Sequence, residues 1–544
     1  MRYNQCTGIM KKQLIHLLVG CLIFPAFFWR NPGVAAHPTE HTEDLIDLQA
    51  SFPQVAHDQG PTGDVGAYVC VTMDWWPDTK CAFGHCPWTN SSVLTANLTS
   101  TKLVALLRAF DGITLRIGGT LADSIVYQED EIHDPLCQPF TQESTTTRHG
   151  FDHGCLTRER WRQVTHFAAN ASARIIFGLN ALYGRNGNID APWDSSNTRS
   201  FLEFLKDENM IPQIDGFELG NELYHFYQMK ASVHAQAFQE LDQLLRDVFG
   251  DEERSRLKLL GPDVTSWKLE AFMTEFVQRT KHFLDGLTWH SYPLGPPYQN
   301  TSKPLHTQMM RADKMATLGE KPAKHIARDA PHMQLIMGES GGVYDSGQDG
   351  LSNRFIDSFW YLKSMATLAQ NRHQMFCRQS LLGGFYELVN HTSHAPNPSY
   401  YAALLFSKVM GRKVWQTNLE GQNATSGEQR IYAHCNMKQS RLGILVLNFS
   451  SNTTAQITEL NGMLPNDLVP RDDYVVTASS LYDDSILLNG EPLLPPMEGQ
   501  EEKVDLIPSV VIKANQHITI PPQSYAFVFF NRRSRVSKVI CGGS

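Results

Sequence analysis

Eight short apolar segments recur between residues 68 and 386 of this chain, and helical patterns or long loops separate them. They cover residues 68–73, 114–117, 174–179, 216–219, 257–260, 287–292, 335–337 and 383–386. Aliphatic, β-branched runs of this length are typical of buried parallel strands. Residues 231–249 carry apolar side chains at helical spacing before Gly250, which predicts a helix between the fourth and fifth strands. The alternation predicts the α/β class and a closed (β/α)8 TIM-type barrel.

The pattern changes after about residue 406. Strand-like runs at 442–448, 455–460, 474–477, 510–512, 517–520 and 525–530 are separated by Gly, Pro, Asn and Asp, without long helical patterns. This pattern predicts a C-terminal antiparallel β-sandwich domain. At 544 residues the chain has room for both domains. We expect the barrel to cover residues 66–405, the sandwich to cover 406–544, and residues 37–65 to pack against the sandwich.

Polar or glycine-rich clusters follow nearly every predicted barrel strand. They lie at residues 73–76, 116–120, 180, 220–222, 261–263, 290–292, 338–340 and 386–387. The carboxyl ends of the strands in a β/α barrel form one rim, so side chains from distant positions converge there. Any single cluster is better explained by turn chemistry. Several clusters in register across eight strands predict a functional site at this rim.

Two glutamates, Glu222 and Glu339, stand in these clusters, each shortly after a glycine. An isolated glutamate is normally a solvated surface residue. Cleavage of a glycosidic bond, however, needs one carboxyl group to protonate the leaving group, and a retaining enzyme needs a second as nucleophile, roughly 5 to 6 Å away. The pair therefore predicts a glycoside hydrolase with Glu222 as acid/base and Glu339 as nucleophile. Asn221 is placed to hydrogen-bond a sugar hydroxyl.

A competing motif overlaps Glu339. Residues 338–342 fit the G-x-S-x-G pattern of serine hydrolases, with Ser340 as the nucleophile. That motif requires a helix directly after the serine, whereas a glycine-rich loop follows here. We therefore interpret Ser340 as part of the scaffold.

Aromatic residues also cluster at the strand ends. They are Trp75, Trp76, Trp289, Tyr292, Tyr344 and Tyr386. Their faces could stack on the apolar face of a sugar ring. Packing in the barrel core is the alternative, and we prefer it for Trp289, which lies inside a strand.

The N-terminus has the order of a secretory signal peptide. Basic residues precede an apolar run from Leu14 to about Trp29, and small residues follow, so we expect residues 1–36 to be removed. A membrane anchor is the alternative, but Pro25 interrupts a run that is short for a bilayer. Eight N-x-S/T sequons favour the same compartment: Asn90, Asn97, Asn170, Asn300, Asn390, Asn423, Asn448 and Asn452. We expect a glycoprotein of the cell exterior, cell wall, vacuole or lysosome, without stable membrane insertion.

Eight cysteines remain beyond the predicted leader. In an oxidising compartment some should pair, and although many pairings are open, we favour Cys81 with Cys86 and Cys435 with Cys541. There is neither a C-x-x-C nor an H-E-x-x-H pattern, so we expect no metal site and no cofactor. The net charge of −9 with dispersed basic residues argues against a nucleic-acid partner. The sequence leaves the oligomeric state open.

Six segments together resemble glycoside hydrolase family 79, the heparanase-like proteins, and most closely its plant branch. They are residues 69–77, 115–120, 220–222, 288–292, 338–340 and 384–390. The resemblance implies a barrel with a β-sandwich and retaining hydrolysis of β-linked glucuronic acid by Glu222 and Glu339. It also implies a sugar pocket lined by Asp74, Thr120, Asn221, His290, Tyr344 and Tyr386. Tyr386 and the backbone of residues 341–347 would hold the uronate carboxylate, and Cys435 with Cys541 matches a disulfide of animal relatives.

Departures from the animal branch concern the substrate. The segment from Tyr127 to Cys155 is short, and Asp130, Glu131 and Asp134 make it acidic. This favours removal of a terminal glucuronate over internal cleavage of heparan sulfate. A retaining barrel glycosidase of the xylosidase or arabinofuranosidase type, and a non-catalytic carbohydrate-binding relative, remain the alternatives.

Overall fold

The structure is a computed structural model. It describes residues 44–58, 68–131, 134–142, 150–266, 270–298, 305–311, 313–420, 427–494, 504, 506–513 and 516–542. The predicted signal peptide and the sequons Asn300 and Asn423 lie outside the described residues. Within them, no helix is long and apolar enough to cross a membrane.

Eight parallel strands close into a barrel in chain order. They are Val69–Met73, Ile113–Ile117, Ala173–Leu179, Ile214–Leu219, Lys258–Val264, Gly286–His290, Gln334–Ser340 and Met375–Arg378. The eighth strand pairs in parallel with the first, with Phe376 opposite Val69, which completes the closure. Strand residues are buried almost throughout, as expected for strands covered on both faces. The predicted fold class is confirmed.

The eighth barrel strand is not where the sequence pattern placed it. The strand is Met375–Arg378, whereas residues 383–386 form bends and a turn beyond it. Gly383 and Gly384 both have positive φ, 83° and 70°, which is incompatible with a strand. The true strand is only four residues long and contains Arg378, so it carries little of the apolar signal that marked the others.

Helices surround the barrel. Their bounds are Thr101–Arg108, Arg158–Asn170, Ser196–Asp207, Leu223–Tyr227, Ala231–Phe249, Asp251–Arg254, Glu270–Thr280, Leu305–Arg311, Lys314–Asp329, Phe355–Gln370 and Pro398–Val409. Ala231–Phe249 has the predicted bounds and ends at Gly250, whose φ is 83°. It packs closely on the fifth strand, because a Cβ at Gly261 would lie 2.3 Å from the Phe238 ring. Only glycine permits this approach.

The second domain consists of two sheets. One has Asn418–Glu420, Asp44–Ser51, Thr453–Leu460 and Ile518–Ile520 in spatial order. The other has Val55–Asp58, Lys413–Trp415, Gln429–Asn436, Arg441–Asn448, Ser524–Phe530, Arg471–Thr477, Leu487–Leu488 and Glu491–Pro492, with Ser509–Val511 beside Arg471–Thr477. The helix Arg535–Cys541 follows. The pairing is antiparallel except between Asp44–Ser51 and Thr453–Leu460, which run parallel.

The two faces of the larger sheet pack against different partners. Ile444 and Val446 belong to the core between the two sheets. Leu445 and Leu447, which alternate with them, belong to the core shared with the barrel. A strand places successive side chains on opposite faces, so this one strand contributes to both cores. The sandwich is thereby fixed to the barrel by apolar packing.

Four disulfides are present among the described residues. They join Cys70 to Cys377, Cys81 to Cys86, Cys137 to Cys155 and Cys435 to Cys541. The set includes both pairs that the sequence favoured. Cys70–Cys377 links the first and eighth barrel strands, where the barrel closes.

Candidate active site

A cavity of about 670 Å³ opens at the carboxyl ends of the barrel strands. Its lining includes Asp74, Trp76, Lys80, Thr120, Glu222, His225, Tyr292, Glu339, Tyr344, Asp345 and Tyr386. Most of these residues lie within a few positions of the end of a barrel strand, so the closure of the barrel is what gathers them. The rim predicted from the strand-end clusters therefore coincides with a pocket large enough for a sugar and part of its neighbour.

Glu339 lies near the end of the seventh strand, and both its carboxylate oxygens are held. Oε2 accepts from Nη1 of Arg116 at 3.0 Å, and Oε1 accepts from the hydroxyl of Tyr292 at 2.6 Å. The residue is buried but lines the cavity. A carboxylate fixed by a guanidinium and a phenol is kept in one orientation.

Arg116, in the second strand, connects the acidic groups of the barrel centre. It is 1% exposed and donates to Glu218, Glu339 and Asn221 at 2.8, 3.0 and 3.0 Å. Burial alone would lower the pKa of its guanidinium, but the adjacent carboxylates, Glu218 foremost, raise it. Arg116 therefore stays charged and balances part of the negative charge beneath the cavity.

Glu222 follows the fourth strand in a left-handed backbone conformation, with φ of 55°. Its N–H donates to the carbonyl of Asp263, which fixes the turn, and its Oε1 lies 2.8 Å from Nδ1 of His290. Burial raises the pKa of its carboxyl group, and the charge of Glu339 adds to the rise, against the opposing effect of His290. A raised pKa is what a general acid requires.

His290 lies between two carboxylates rather than in the cavity. Nδ1 faces Glu222, Nε2 lies 3.1 Å from Oδ1 of Asp263, and the ring is 0% exposed. Burial opposes protonation, but Glu339, Asp263 and Glu222 outweigh it and raise the pKa of His290 to about 10. This corrects the expectation that His290 binds substrate, since both its nitrogens are engaged below the pocket surface. Its position lets it orient Glu222.

The remaining predicted pocket residues take different places. Asp74, Thr120, Tyr344 and Tyr386 line the cavity, and Tyr344, 40% exposed, lies at its rim. Asn221 is buried, its oxygen accepts from Arg116, and its N–H donates to Asp123. Its amide nitrogen is thus the group with which it can bind a sugar hydroxyl.

Asp74 is a second acid of the cavity wall with a raised pKa. Its oxygens accept from the N–H of Trp75 and from Nε2 of Gln379, both at 2.7 Å. Burial first, and then the charge of Glu339, raise its pKa to about 7. At mildly acidic pH the group is therefore protonated and can donate a hydrogen bond as well as accept one.

Tyr386 and the glycine-rich loop after the seventh strand are in contact. A Cβ at Gly341 would lie 2.7 Å from the Tyr386 ring, and one at Gly347 would lie 3.0 Å from it. The phenol and the loop backbone therefore lie side by side, and their binding of a uronate carboxylate stays a prediction.

The predicted aromatic platform is only partly correct. Trp76, Tyr292, Tyr344 and Tyr386 line the cavity. Trp75 is fully buried, edge-on to Phe177, and is a core residue. Trp289 is also buried, as we preferred, and its Nε1 donates to His373.

Ser340 is fully buried, and its hydroxyl donates to the carbonyl of Ser291. No helix follows it directly; the chain continues as bends and turns to residue 354. The serine-hydrolase alternative therefore lacks both an accessible hydroxyl and the required turn.

Glu222, His290 and Glu339 each place one ligand atom within 4.8 Å of the others. Such spacing could hold an ion. Each of the three groups, however, is already hydrogen-bonded to protein, and two of the three are the proposed reacting carboxyls. The protein's own hydrogen bonds account for this arrangement.

Asn448 corrects one of the glycosylation predictions. Its side chain is 0% exposed, and Nδ2 donates to the carbonyls of Thr453, Ile520 and Pro521. A glycan would have to be attached to this nitrogen, so the folded chain has no room for one. Asn90, Asn97, Asn170 and Asn452 are exposed and Asn390 is half-buried, and their modification stays a prediction.

Four important residues were not singled out from the sequence. Arg116 and Asp263 stood in the quoted clusters without an assigned role, whereas Lys80 and Gln379 lay outside the clusters. For Arg116 a signal existed, because a cation inside an apolar strand must find a buried partner. Gln379 had none, since the eighth strand itself was misplaced.

A β/α barrel joined to a β-sandwich, with two glutamates facing one cavity at the strand ends, defines the chain as a glycoside hydrolase. The chain belongs to glycosyl hydrolase family 79, whose N-terminal domain matches residues 60–366.

Known relatives cover most of the chain. Heparanase-like protein 3 of Arabidopsis thaliana is 32% identical over 85% of this chain and 89% of its own length. Baicalin-beta-D-glucuronidase of Scutellaria baicalensis is 32% identical over 85% of this chain and 88% of its own. Heparanase of Bos taurus is 25% identical over 81% and 86%.

Solved structures share the fold. A GH51 arabinofuranosidase from Xanthomonas axonopodis pv. citri superposes with a TM-score of 0.61 at 12% identity, covering 90% of this chain and all of that one. A 4-O-alpha-L-rhamnosyl-beta-D-glucuronidase from Fusarium oxysporum has a TM-score of 0.58 at 14% identity, covering 89% and 99%. At these identities the likeness concerns the fold alone.

Proposed function

We propose that the protein is a retaining β-glucuronidase that removes terminal β-linked glucuronic acid, with Glu339 as nucleophile and Glu222 as acid/base. The observation that carries this proposal is the approach of the two carboxyl groups in one cavity, where one oxygen of Glu222 lies within 4.8 Å of one oxygen of Glu339. Retaining glycosidases hold their carboxyl groups about 5 to 5.5 Å apart, whereas inverting enzymes leave room for a water between them at about 6.5 to 9.5 Å.

The surroundings of the two glutamates support the division of roles. Arg116 and Tyr292 hold Glu339 as a carboxylate that can attack the anomeric carbon. As the C–O bond to the aglycone breaks, Glu222 gives its proton to the leaving oxygen, and a glycosyl ester on Glu339 results. Glu222, now a carboxylate, then takes a proton from water, which attacks the ester and releases glucuronate and free Glu339.

Relatives and charge support the choice of substrate. One relative is by name a baicalin-beta-D-glucuronidase. In this chain Asp130 and Glu131 are exposed, and the net charge is −9. A highly sulfated polyanion would be repelled by such a surface. A flavonoid glucuronide or a terminal glucuronate of a neutral cell-wall glycan is the better fit.

The disulfides and the sequence of the N-terminus support a destination in the secretory pathway. Four disulfides are typical of proteins that mature in an oxidising compartment. Together with the predicted leader and the exposed sequons, they favour a secreted, vacuolar or lysosomal glycoprotein.

A substrate screen with product analysis tests the proposal. Initial rates would be measured on nitrophenyl β-glucuronide, β-xyloside and α-arabinofuranoside, and proton NMR would identify the first anomer released. We expect preference for the glucuronide and release of β-glucuronate before mutarotation. Preference for a neutral sugar would support the xylosidase or arabinofuranosidase alternative instead. Release of the α-anomer would refute the retaining mechanism, and binding of glucuronides without turnover would indicate a non-catalytic relative.

A further inference from the structure

Lys80 lies in the loop that follows the first barrel strand and lines the same cavity as Glu222 and Glu339. The backbone N–H of Lys80 donates to the carbonyl of Pro77 at 2.8 Å, which closes a turn. The Cys81–Cys86 disulfide begins at the next residue. The backbone that carries Lys80 is therefore constrained on both sides.

The ammonium group of Lys80 is held by an aromatic ring instead of by an acid. Its Nζ lies 4.8 Å from the ring centroid of Trp76, another cavity residue. Trp76 is in turn fixed by ring contacts with Trp88 and Phe151. Among the described residues no carboxylate forms an ion pair with Lys80. A cation over an indole face is attracted to it yet keeps N–H donors for a further partner.

The cavity as a whole is acidic. Asp74, Glu222, Glu339 and Asp345 line it, and Lys80 is the only lysine or arginine in the lining that the structure describes. Arg116 does not balance this charge for a ligand, because it is 1% exposed and bound to Glu218, Glu339 and Asn221. A sugar carboxylate would be repelled by the carboxylates of this lining, Glu339 among them, and Lys80 is placed to offset that repulsion.

We infer that Lys80 is a specificity-determining residue that pairs with the carboxylate of the acidic substrate, and that Trp76 holds its ammonium in place for this contact. Lys80 would supply the positive charge, in addition to the neutral donors expected from Tyr386 and the backbone of residues 341–347. The inference rests on the proposed glucuronidase function and adds to it a cation that distinguishes uronates from neutral sugars. Trp76 and the Cys81–Cys86 loop act as the support of Lys80.

Kinetics of Lys80→Met with a matched pair of inhibitors test the inference. Nitrophenyl β-glucuronide is the substrate, and glucuronic acid and uncharged glucuronamide are the competing ligands. Loss of one charge-assisted hydrogen bond should raise KM and the inhibition constant of glucuronic acid roughly 10-fold or more. The inhibition constant of glucuronamide and kcat should change less than about 2-fold, because the lost contact is to the carboxylate alone.

Two further variants serve as controls. Lys80→Arg keeps the charge and should restore most of the affinity for glucuronic acid. Lys324→Met removes a lysine that is exposed on the helix Lys314–Asp329 and pairs with Glu320. It should leave both inhibition constants unchanged, which separates a local contact from an effect of net charge.

Other outcomes would refute the inference. Equal weakening of glucuronic acid and glucuronamide would show that Lys80 only supports the cavity wall, and unchanged affinity for glucuronic acid would show that it does not contact the carboxylate. A wild-type protein that is inactive on every glucuronide would instead overturn the proposed function, and this is measured before any variant is made.

Discussion

Glu222 and Glu339 are the same residue type, and their surroundings give them different chemistry. Glu339 accepts hydrogen bonds from Arg116 and Tyr292. Glu222 meets His290 in a buried position next to the negative charge of Glu339, and its pKa is raised. Two carboxyl groups whose environments differ in this way are suited to be nucleophile and acid in one reaction.

Substitution of each glutamate should give a different kinetic result. Glu339→Gln removes the nucleophile and should lower kcat by at least about 10³-fold on every glucuronide. Glu222→Gln should slow substrates with poor leaving groups in the same way but spare the first step for nitrophenyl glucuronide, whose phenol leaves without a proton. Steady-state and burst kinetics on both substrate types measure the difference.

Azide provides the control for these two variants. It can replace water without needing a base, so it should accelerate Glu222→Gln and give β-glucuronyl azide, detectable by mass spectrometry. Equal losses on activated and unactivated substrates for Glu222→Gln would contradict its role as the acid.

The pH dependence should respond to His290. Glu222 must be protonated to act, so the rate should fall as pH rises through its pKa, which lies above the ordinary value. His290 is protonated below about pH 10, and its hydrogen bond and positive charge lower the pKa of Glu222. Removal of this cation in His290→Asn should therefore move the alkaline limb of kcat/KM to higher pH, while kcat falls because Glu222 loses its orienting partner. A pH profile that is lower but not displaced would show that His290 has a structural role alone.

At the scale of elements, the disulfides link loops and strands whose separations in the sequence differ widely. Cys70–Cys377 joins strands 307 residues apart at the closure of the barrel, whereas Cys81–Cys86 joins residues 5 apart beside the cavity. A cross-link restricts the unfolded chain more when the closed loop is longer. The first bond should therefore contribute mainly to stability, and the second mainly to the shape of the pocket wall.

Paired alanine variants test this difference. Replacement of Cys70 and Cys377 by alanine should lower the free energy of unfolding by about 2 to 5 kcal/mol. Replacement of Cys81 and Cys86 should cost less stability but raise KM, since the loop carries Lys80. Urea unfolding and initial rates measure both properties, and a larger loss of stability in the short-loop variant would contradict the argument.

At the scale of the whole molecule, the barrel and the larger sheet share one apolar core. Phe355 stacks on Tyr525 at a centroid distance of 5.6 Å, and Phe359 meets the same ring edge-on at 5.6 Å. Both phenylalanines belong to the helix Phe355–Gln370 of the barrel, and Tyr525 belongs to the sheet. Contacts of this kind resemble a domain interior more than a hinge.

The shared core predicts joint unfolding. Phe359→Ala should destabilise the protein by about 3 to 5 kcal/mol, because it leaves a cavity at the junction of the two domains. We expect calorimetry to show one transition that moves to lower temperature as a whole. Two separated transitions, with only one of them displaced, would show that the domains unfold independently.

The sequence by itself determined the class of fold and the positions of the two proposed reacting residues at the strand ends. Apolar periodicity marks seven of the eight barrel strands, and strand direction alone places Glu222 and Glu339 on one rim. These features are local, since a strand and the residue after it are encoded within a few positions. The helix Ala231–Phe249 was predictable for the same reason.

Only the tertiary structure decided how the glutamates are held and where the barrel closes. Arg116 meets Glu218 and Glu339 across 102 and 223 positions of sequence, and no local pattern encodes those distances. The short eighth strand Met375–Arg378 carries a weak pattern and is recognised only by its pairing with the first strand. Hydrogen bonds and ion pairs between distant strands form only when the strands pack together. The chemistry of the pocket can therefore be derived only from the closed barrel.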